Sequence, residues 1–128
     1  MLSKSIVSAT MQCRRKNLKA VGDFYVKKLG LKRAFGSAKE GFFVFHAGRR
    51  SELLLFESDA RKSDDTGATF DVKNLAREMS ALRKRGVKFE EYDLPGVKTV
   101  NGVSRMGPHA MCWLKDPDGN VVGLHQGP

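Results

Sequence analysis

The chain has 128 residues, of which 41% are hydrophobic and 29% are charged. This composition is typical of one folded domain or two small fused modules, and it excludes a disordered chain. The 23 basic and 14 acidic residues give a net charge of +9, which favours anionic over cationic partners. The longest apolar runs, at 41–45 and 53–56, are far too short to cross a bilayer, so no membrane partner is expected.

The first predicted element is a β-strand. Between positions 6 and 13, Ile6, Ser8, Thr10 and Gln12 alternate with Val7, Ala9, Met11 and Cys13. Residues 1–22 carry five basic and no acidic residues, as some transit peptides do, but the alternation favours a strand of the fold. Cys13 and Cys112 have no framework spacing, which predicts free, buried thiols and a cytoplasmic protein.

A helix and three strands are predicted next. Asn17 is a residue type that caps helices, and Gly30 is a typical helix stop. Between them, apolar residues recur at helical spacing: Leu18, Val21, Tyr25 and Leu29. The three strands are expected at about 31–36, 40–47 and 51–57.

The same order of elements then repeats. A strand is predicted at 66–72, followed by a helix that Asn74 caps and Gly86 ends. Its apolar positions are Leu75, Met79 and Leu82. Further strands are expected at about 87–92, 109–115 and 120–126. The sequence therefore predicts an α+β fold that repeats β-α-β-β-β, a single domain with modules at about 1–60 and 64–128.

Two connecting segments have distinct characters. Residues 116–120 (DPDGN) predict a tight hairpin turn, because proline presets φ and glycine accepts a left-handed conformation. Residues 93–108 form the only long stretch without a clear pattern. Loops of this length in compact domains are commonly lids or binding loops, and whether this one closes as a lid is left open.

The duplicated modules, the helix ending in Asp23-Phe24-Tyr25…Leu29-Gly30-Leu31 and the segment 113–120 (WLKDPDGN) resemble the vicinal oxygen chelate superfamily. This superfamily contains glyoxalase I, bleomycin-resistance proteins, fosfomycin-resistance enzymes and extradiol dioxygenases. The resemblance implies two tandem βαβββ modules whose curved mixed sheets surround a ligand cavity. It also implies a homodimer.

In the metal-dependent members of this superfamily, four side chains from the first and fourth strands of each half reach into the cavity. By motif, three of these positions fall at Thr10, Gly67 and Gly123, and the fourth at either Glu52 or Leu53. A slip of one residue reverses the face of a strand, so this last choice stays open. Because glycine has no donor and divalent metals need three or four, no metal and no other cofactor are expected.

The resemblance and the residue types together suggest which side chains bind a ligand. Small polar groups would line the inward face, Arg105 could clamp a carboxylate, and His125 shares strand parity with Gly123. The expected ligand-binding residues are Thr10, Gln12, Glu52, Thr69, Arg105, Trp113 and His125. Each also has an ordinary alternative role, in core packing for Trp113 or as a solvated polar group for the others.

Other titratable residues do not belong to a recognisable motif. His46 and His109 have no second histidine or carboxylate at chelating spacing, so both are interpreted as rim histidines. Glu52, Glu57 and Asp71 could act as a general base, although the pKa shift that a base needs cannot be read from sequence.

The leading functional hypothesis is a metal-independent protein that binds a neutral or anionic small molecule. The alternative is a lyase or isomerase resembling glyoxalase I, with an unusual or metal-free site. Nucleic-acid binding is disfavoured, because the basic residues are not interleaved with aromatic ones and no nucleic-acid motif occurs.

Overall fold

The computed structural model describes residue 3 and residues 8–60 and 64–128. The chain divides into two compact units, Met1–Ser63 and Asp64–Pro128. The strands are β1 (Ala9–Cys13), β2 (Lys32–Ser37), β3 (Phe42–Ala47), β4 (Ser51–Glu57), β5 (Thr66–Asp71), β6 (Asp93–Leu94), β7 (Val97–Lys98), β8 (Ser104–Met106), β9 (His109–Lys115) and β10 (Val121–Gln126). The α-helices are α1 (Leu18–Asp23) and α2 (Leu75–Lys84).

The first unit is a four-stranded mixed sheet in the order β1-β4-β3-β2, in which β1 and β4 run parallel. One face carries fully or nearly fully buried side chains: Met11, Cys13, Phe43, Phe45, Leu53 and Leu55. This face packs on the helical segment, where the Tyr25 and Phe45 rings are 5.5 Å apart. A Cβ atom on Gly22 of α1 would lie 2.8 Å from the Phe43 ring, so only glycine allows this approach.

The helical segment of the first unit is less regular than predicted. It begins with a 3-10 turn at Arg15–Asn17, continues as α1 and ends in a π-helical turn at Phe24–Lys28. The prediction that Asn17 caps the helix is wrong, because its backbone already has helical angles and its side chain makes no capping hydrogen bond. Gly30, with a φ of +76°, ends the segment as predicted.

The second unit repeats this architecture with a sheet in the order β5-β10-β9-β8, in which β5 and β10 run parallel. The predicted cap of α2 is confirmed: Asn74 Oδ1 accepts a hydrogen bond of 3.0 Å from the Arg77 N–H. Gln126 Oε1 accepts a second one, of 2.7 Å, from the Leu75 N–H. The buried residues of this unit include Leu75, Met79 and Leu82 on α2 and Cys112, Leu114, Val122 and Leu124 on the sheet.

The fourth strand of this sheet is not the predicted one. The expected strand at 87–92 makes only an isolated bridge between Phe89 and Leu114, and β8 forms the edge of the sheet instead. The chain turns away at Tyr92, whose N–H donates to Thr99 Oγ1 at 2.8 Å. The segment 93–108 is therefore partly regular, with the hairpin β6–β7 followed by β8.

Each unit is thus βαβββ, and the predicted α+β fold class is confirmed. Cys13 and Cys112 are buried and form no disulfide, as expected. Within residues 8–60 and 64–128, no helix is long and apolar enough to span a membrane.

Candidate functional site

Each sheet has one face turned away from its helix, called here the open face of that sheet. On β4, Leu53 is 2% exposed and lies on the helix side. Because neighbouring residues of a strand point to opposite faces, Glu52 lies on the open face of the first sheet. Of the two residues between which the sequence left the choice open, Glu52 is therefore the one on the open face. Thr10 lies on the same face, opposite Leu54.

Glu52 already has a partner on this face. His46 stands opposite it on β3, and its Nε2 atom lies 3.2 Å from Glu52 Oε2. The pair borders a cavity of about 380 Å³, whose lining residues are Ser8, His46, Gly48, Arg50 and Glu52. Arg50 adopts a φ of +116°, a conformation that a non-glycine residue holds only at a cost.

The rest of the first open face is largely apolar and aromatic. Phe42 packs edge to face on Phe35, with ring centroids 5.7 Å apart, and Phe35 remains 59% exposed. Gln12 Nε2 donates a 3.1 Å hydrogen bond to the Ala60 carbonyl, so part of its donor capacity is used locally. This face offers a hydrophobic surface with a few polar groups, which is the usual make-up of a small-molecule site.

On the open face of the second sheet, Gly123 lies between Thr69 on β5 and Trp113 on β9. A Cβ atom at position 123 would lie 3.2 Å from Thr69 Oγ1 and 3.5 Å from the Met111 Cε atom. A side chain at this position would therefore be in ordinary contact with Met111 and in tight contact with Thr69, which would have to move by a few tenths of an ångström.

Three polar side chains on this second open face are joined by hydrogen bonds. His125 Nδ1 lies 2.8 Å from Asp71 Oδ1, and His125 Nε2 lies 2.9 Å from His109 Nδ1. The imidazole rings of the two histidines are 19° from parallel with centroids 5.1 Å apart. The His125 side chain is 27% exposed and that of Asp71 is 85% exposed. We call this group the Asp71–His125–His109 chain.

Trp113 contacts Tyr92, with ring centroids 5.5 Å apart and planes at 72°. Burial raises the pKa of the Tyr92 phenol above its usual value, and the Glu90 carboxylate adds to the shift. The hydroxyl is therefore a hydrogen-bond donor at neutral pH. Together, Trp113 and Tyr92 provide an aromatic surface with one polar group.

Of the seven expected ligand-binding residues, the structure places Thr10, Gln12 and Glu52 on the first open face. Thr69, Trp113 and His125 lie on the second. Arg105 lies on β8 opposite Ala110, which is buried on the helix side. Its side chain therefore leaves the sheet on the face away from His125.

Sequence reasoning treated His109 as an isolated rim residue. The DPDGN turn fixes the register of β9 and β10, in which His125 stands opposite Met111. Since His109 lies two residues before Met111, it shares the open face diagonally with His125. The predicted hairpin therefore already implied that His109 and His125 lie on the same face of the sheet.

A further cavity, of about 910 Å³, lies near the end of α2 and not on an open face. Two of its charged side chains are already engaged: Arg83 donates to the Asn101 carbonyl at 3.1 Å, and Glu91 Oε1 accepts from the Gly102 N–H at 2.7 Å. It is therefore a weaker candidate for a ligand than the open faces.

A metal site needs three or four donor side chains that converge on one point. Across the described residues, no three His, Cys, Asp or Glu side chains come together in a way that could hold a metal ion. At the four positions indicated by the family motif, Glu52 is the single strong ligand, because Gly67 and Gly123 have no side-chain donor.

The Glyoxalase/Bleomycin resistance protein/Dioxygenase superfamily matches residues 8–124 of the chain. Among similar solved structures is a lactoylglutathione lyase from Agrobacterium tumefaciens, 19% identical with a TM-score of 0.73, covering 99% of this chain and 96% of its own. A member of the same superfamily from Sphaerobacter thermophilus is 23% identical with a TM-score of 0.70, covering 98% and 99%. A third, from Alicyclobacillus acidocaldarius, is 18% identical with a TM-score of 0.71, covering 97% and 92%. No curated protein matches significantly.

Proposed function

Because the chain belongs to the Glyoxalase/Bleomycin resistance protein/Dioxygenase superfamily, we propose that it binds a small molecule on its open sheet faces without a divalent metal. The observation that carries this proposal is the lack of donors at the positions indicated by the family motif. Gly123 has no side-chain donor, and Thr69 Oγ1 lies only 3.2 Å from where a Cβ atom would stand there. With Gly67 also lacking a donor, the remaining ligands are too few for a stable site.

The ligand we propose is neutral or anionic and has an apolar part. Aromatic side chains on both open faces, such as Phe42 and Trp113, suit an apolar group. The net charge of +9 repels cations at long range and attracts anions. The buried, free thiols support a cytoplasmic location.

The metal-free part of the proposal predicts that the purified protein retains no metal. After incubation with nickel, zinc, manganese or iron(II) and desalting, elemental analysis should find far less than one metal per chain. Stoichiometric retention that Glu52→Gln abolishes would contradict the proposal, since it would place a metal at Glu52.

A series of matched probes separates the ligand classes. Benzoate, benzamide and benzamidine have nearly the same shape and differ in charge. Benzoate and benzamide should raise the thermal midpoint more than benzamidine does, because binding to the native state stabilises it. A larger shift with benzamidine would overturn the proposed ligand class.

We also propose that the protein is a homodimer. One of the two edge strands of each sheet carries an exposed large apolar side chain, Phe35 (59% exposed) on β2 and Met106 (72% exposed) on β8. A second copy of the chain would cover such residues. Sedimentation equilibrium should give twice the chain mass, and the variant Phe35→Lys/Met106→Lys should sediment as a monomer. A wild-type monomer at high concentration would exclude the dimer.

One observation favours the second candidate function, a metal-free lyase or isomerase. In the Asp71–His125–His109 chain, a carboxylate and two imidazoles are joined by hydrogen bonds, and groups joined in this way can transfer protons.

A further inference from the structure

We infer that the Asp71–His125–His109 chain is a proton relay whose outer end, the Nε2 atom of His109, is a general base for a molecule bound on the second open face. This inference rests on the proposed small-molecule binding and adds a chemical step to it. It assigns the base to His109, and it makes Asp71 and His125 positioning residues.

The hydrogen bonds determine which nitrogen of each imidazole carries the proton. An ionised Asp71 can only accept, so His125 donates to it through Nδ1 over 2.8 Å. In its neutral form His125 then has an unprotonated Nε2, which must accept from His109 Nδ1 over 2.9 Å. His109 is consequently held with its proton on Nδ1, and its Nε2 atom has a free lone pair.

The surroundings leave this lone pair accessible. β9 contributes Met111 beside the two rings, and β8 contributes Ser104 and Met106, which stand opposite Met111 and His109. A Cβ atom on Gly127 would lie 3.5 Å from His125 Cε1 and 4.0 Å from His109 Nδ1. No other atom of His109 lies within 4 Å of that position, and His109 is exposed to solvent, so its Nε2 atom is accessible.

The charged groups on these strands have defined places. Asp71 is the charged group that contacts the pair, from β5. Lys115 lies at the opposite end of β9, where it pairs with Glu90 at 3.3 Å. Arg105 leaves β8 on the other face, opposite Ala110. A positive charge that forms on the histidines is thus stabilised by Asp71 from one side.

The proposed step transfers one proton and needs no co-reactant. An acidic C–H bond of the bound molecule breaks, its proton goes to His109 Nε2, and the electron pair stays on the molecule as an enolate-type anion. The Nδ1 proton of His109 moves to His125 Nε2, and the resulting imidazolium is paired with the Asp71 carboxylate. Return of the proton to a neighbouring atom releases an isomer and restores the chain.

The tautomers can be tested without any ligand, because the protein has three histidines and their nitrogen NMR signals can be assigned with single variants. In neutral protein, His125 and His109 should both be Nδ1–H tautomers. His46 is an internal reference, since its Nε2 faces Glu52 and should carry the proton. In His125→Ala, which removes the acceptor of the His109 Nδ1–H group, the His109 tautomer should revert to Nε2–H. An Nε2–H tautomer of His109 in the wild type would overturn the relay.

The base is tested with nitrobenzisoxazole, a neutral aromatic probe. Removal of its C–H proton by a base breaks the N–O bond and gives a coloured cyanonitrophenolate. His109→Gln should lower the rate about 100-fold, the order of magnitude of a positioned general base. Asp71→Asn keeps a hydrogen-bond acceptor but loses the charge, so kcat should fall while KM stays unchanged. Lys84→Gln, on the exposed side of α2, should match the wild type.

Equal rates for the wild type and His109→Gln would overturn the assignment of the base. Quenching of Trp113, the single tryptophan, by the probe reports binding independently of the reaction. Quenching with equal rates would mean that the binding proposal stands and the relay fails. Absence of quenching by this probe and by benzoate and benzamide would count against the binding proposal itself.

Discussion

The Cys112 thiol is expected to react with iodoacetamide at about pH 8 roughly a thousandfold more slowly than the same thiol in the unfolded chain. Burial raises the pKa of Cys112 from 9.0 to about 12, which lowers the fraction of reactive thiolate. The side chain is 0% exposed, so access of the reagent is blocked as well. Mass spectrometry of Cys13→Ala, compared in buffer and in urea, measures this ratio for Cys112 alone.

The raised pKa of Cys112 also makes the free energy of unfolding depend on pH. The folded state holds the Cys112 proton more tightly than the unfolded state, whose thiol titrates near 9.0. The contribution of this proton is therefore fully present below pH 9 and is lost as the pH rises towards about 12. Cys112→Ala should flatten this part of the stability profile. Alkylation of the folded protein at a rate near that of the unfolded chain would contradict both expectations.

Replacing Asp116 by alanine is expected to destabilise the protein by about 3 kcal/mol, because buried donors lose their acceptor. Asp116 is 4% exposed, and its Oδ1 atom accepts from the N–H groups of Asp118 and Asn120, both at 2.9 Å. Its Oδ2 atom accepts from Asn120 Nδ2 at 2.8 Å. The free energy of unfolding, measured by urea titration, reports the loss.

Asp116→Asn is the matched control. It keeps an oxygen that can accept from both backbone N–H groups and loses the acceptor for Asn120 Nδ2. It should therefore cost about 1 kcal/mol, the usual net value of one hydrogen bond. This turn fixes the register that joins His109 to His125. Asp116→Ala should therefore also lower the fraction of His109 that carries its proton on Nδ1. An alanine variant as stable as the asparagine variant would refute this account of the turn.

The elements that sequence predicted best are those fixed by local chemistry. Asn74 caps α2 because its backbone is extended just before the first turn and its side chain reaches the Arg77 N–H. The DPDGN hairpin forms because proline, glycine and a buried aspartate each favour the same turn. The internal repeat then led directly to the βαβββ architecture of each unit.

The elements that sequence predicted poorly depend on tertiary contacts. Residues 87–92 have strand character, yet Phe89 makes one bridge to β9 before the chain turns away at Tyr92. The edge strand of the sheet is instead Ser104–Met106. This strand is three residues long and lies within a segment whose composition looks irregular. The 3-10 and π-helical turns that flank α1 likewise have no pattern in the sequence by which they could be recognised.

The features of the candidate site were likewise only partly predictable from the sequence. The missing donors at Gly67 and Gly123 could be read directly from the sequence, but the close approach of Thr69 to position 123 could not. The choice between Glu52 and Leu53 required the register of β4. The link between His109 and His125 required the register of β9 and β10, since the two residues have no chelating spacing along the chain.

In each unit the first strand pairs with the last, β1 with β4 and β5 with β10. The first sheet is therefore complete once residue 57 has been synthesised, and none of its ladder hydrogen bonds requires a residue of the second unit. On the ribosome, the N-terminal module can close its sheet before the C-terminal module has emerged. The C-terminal module must wait for β10, so its histidine chain can be assembled only after residue 126 has been synthesised.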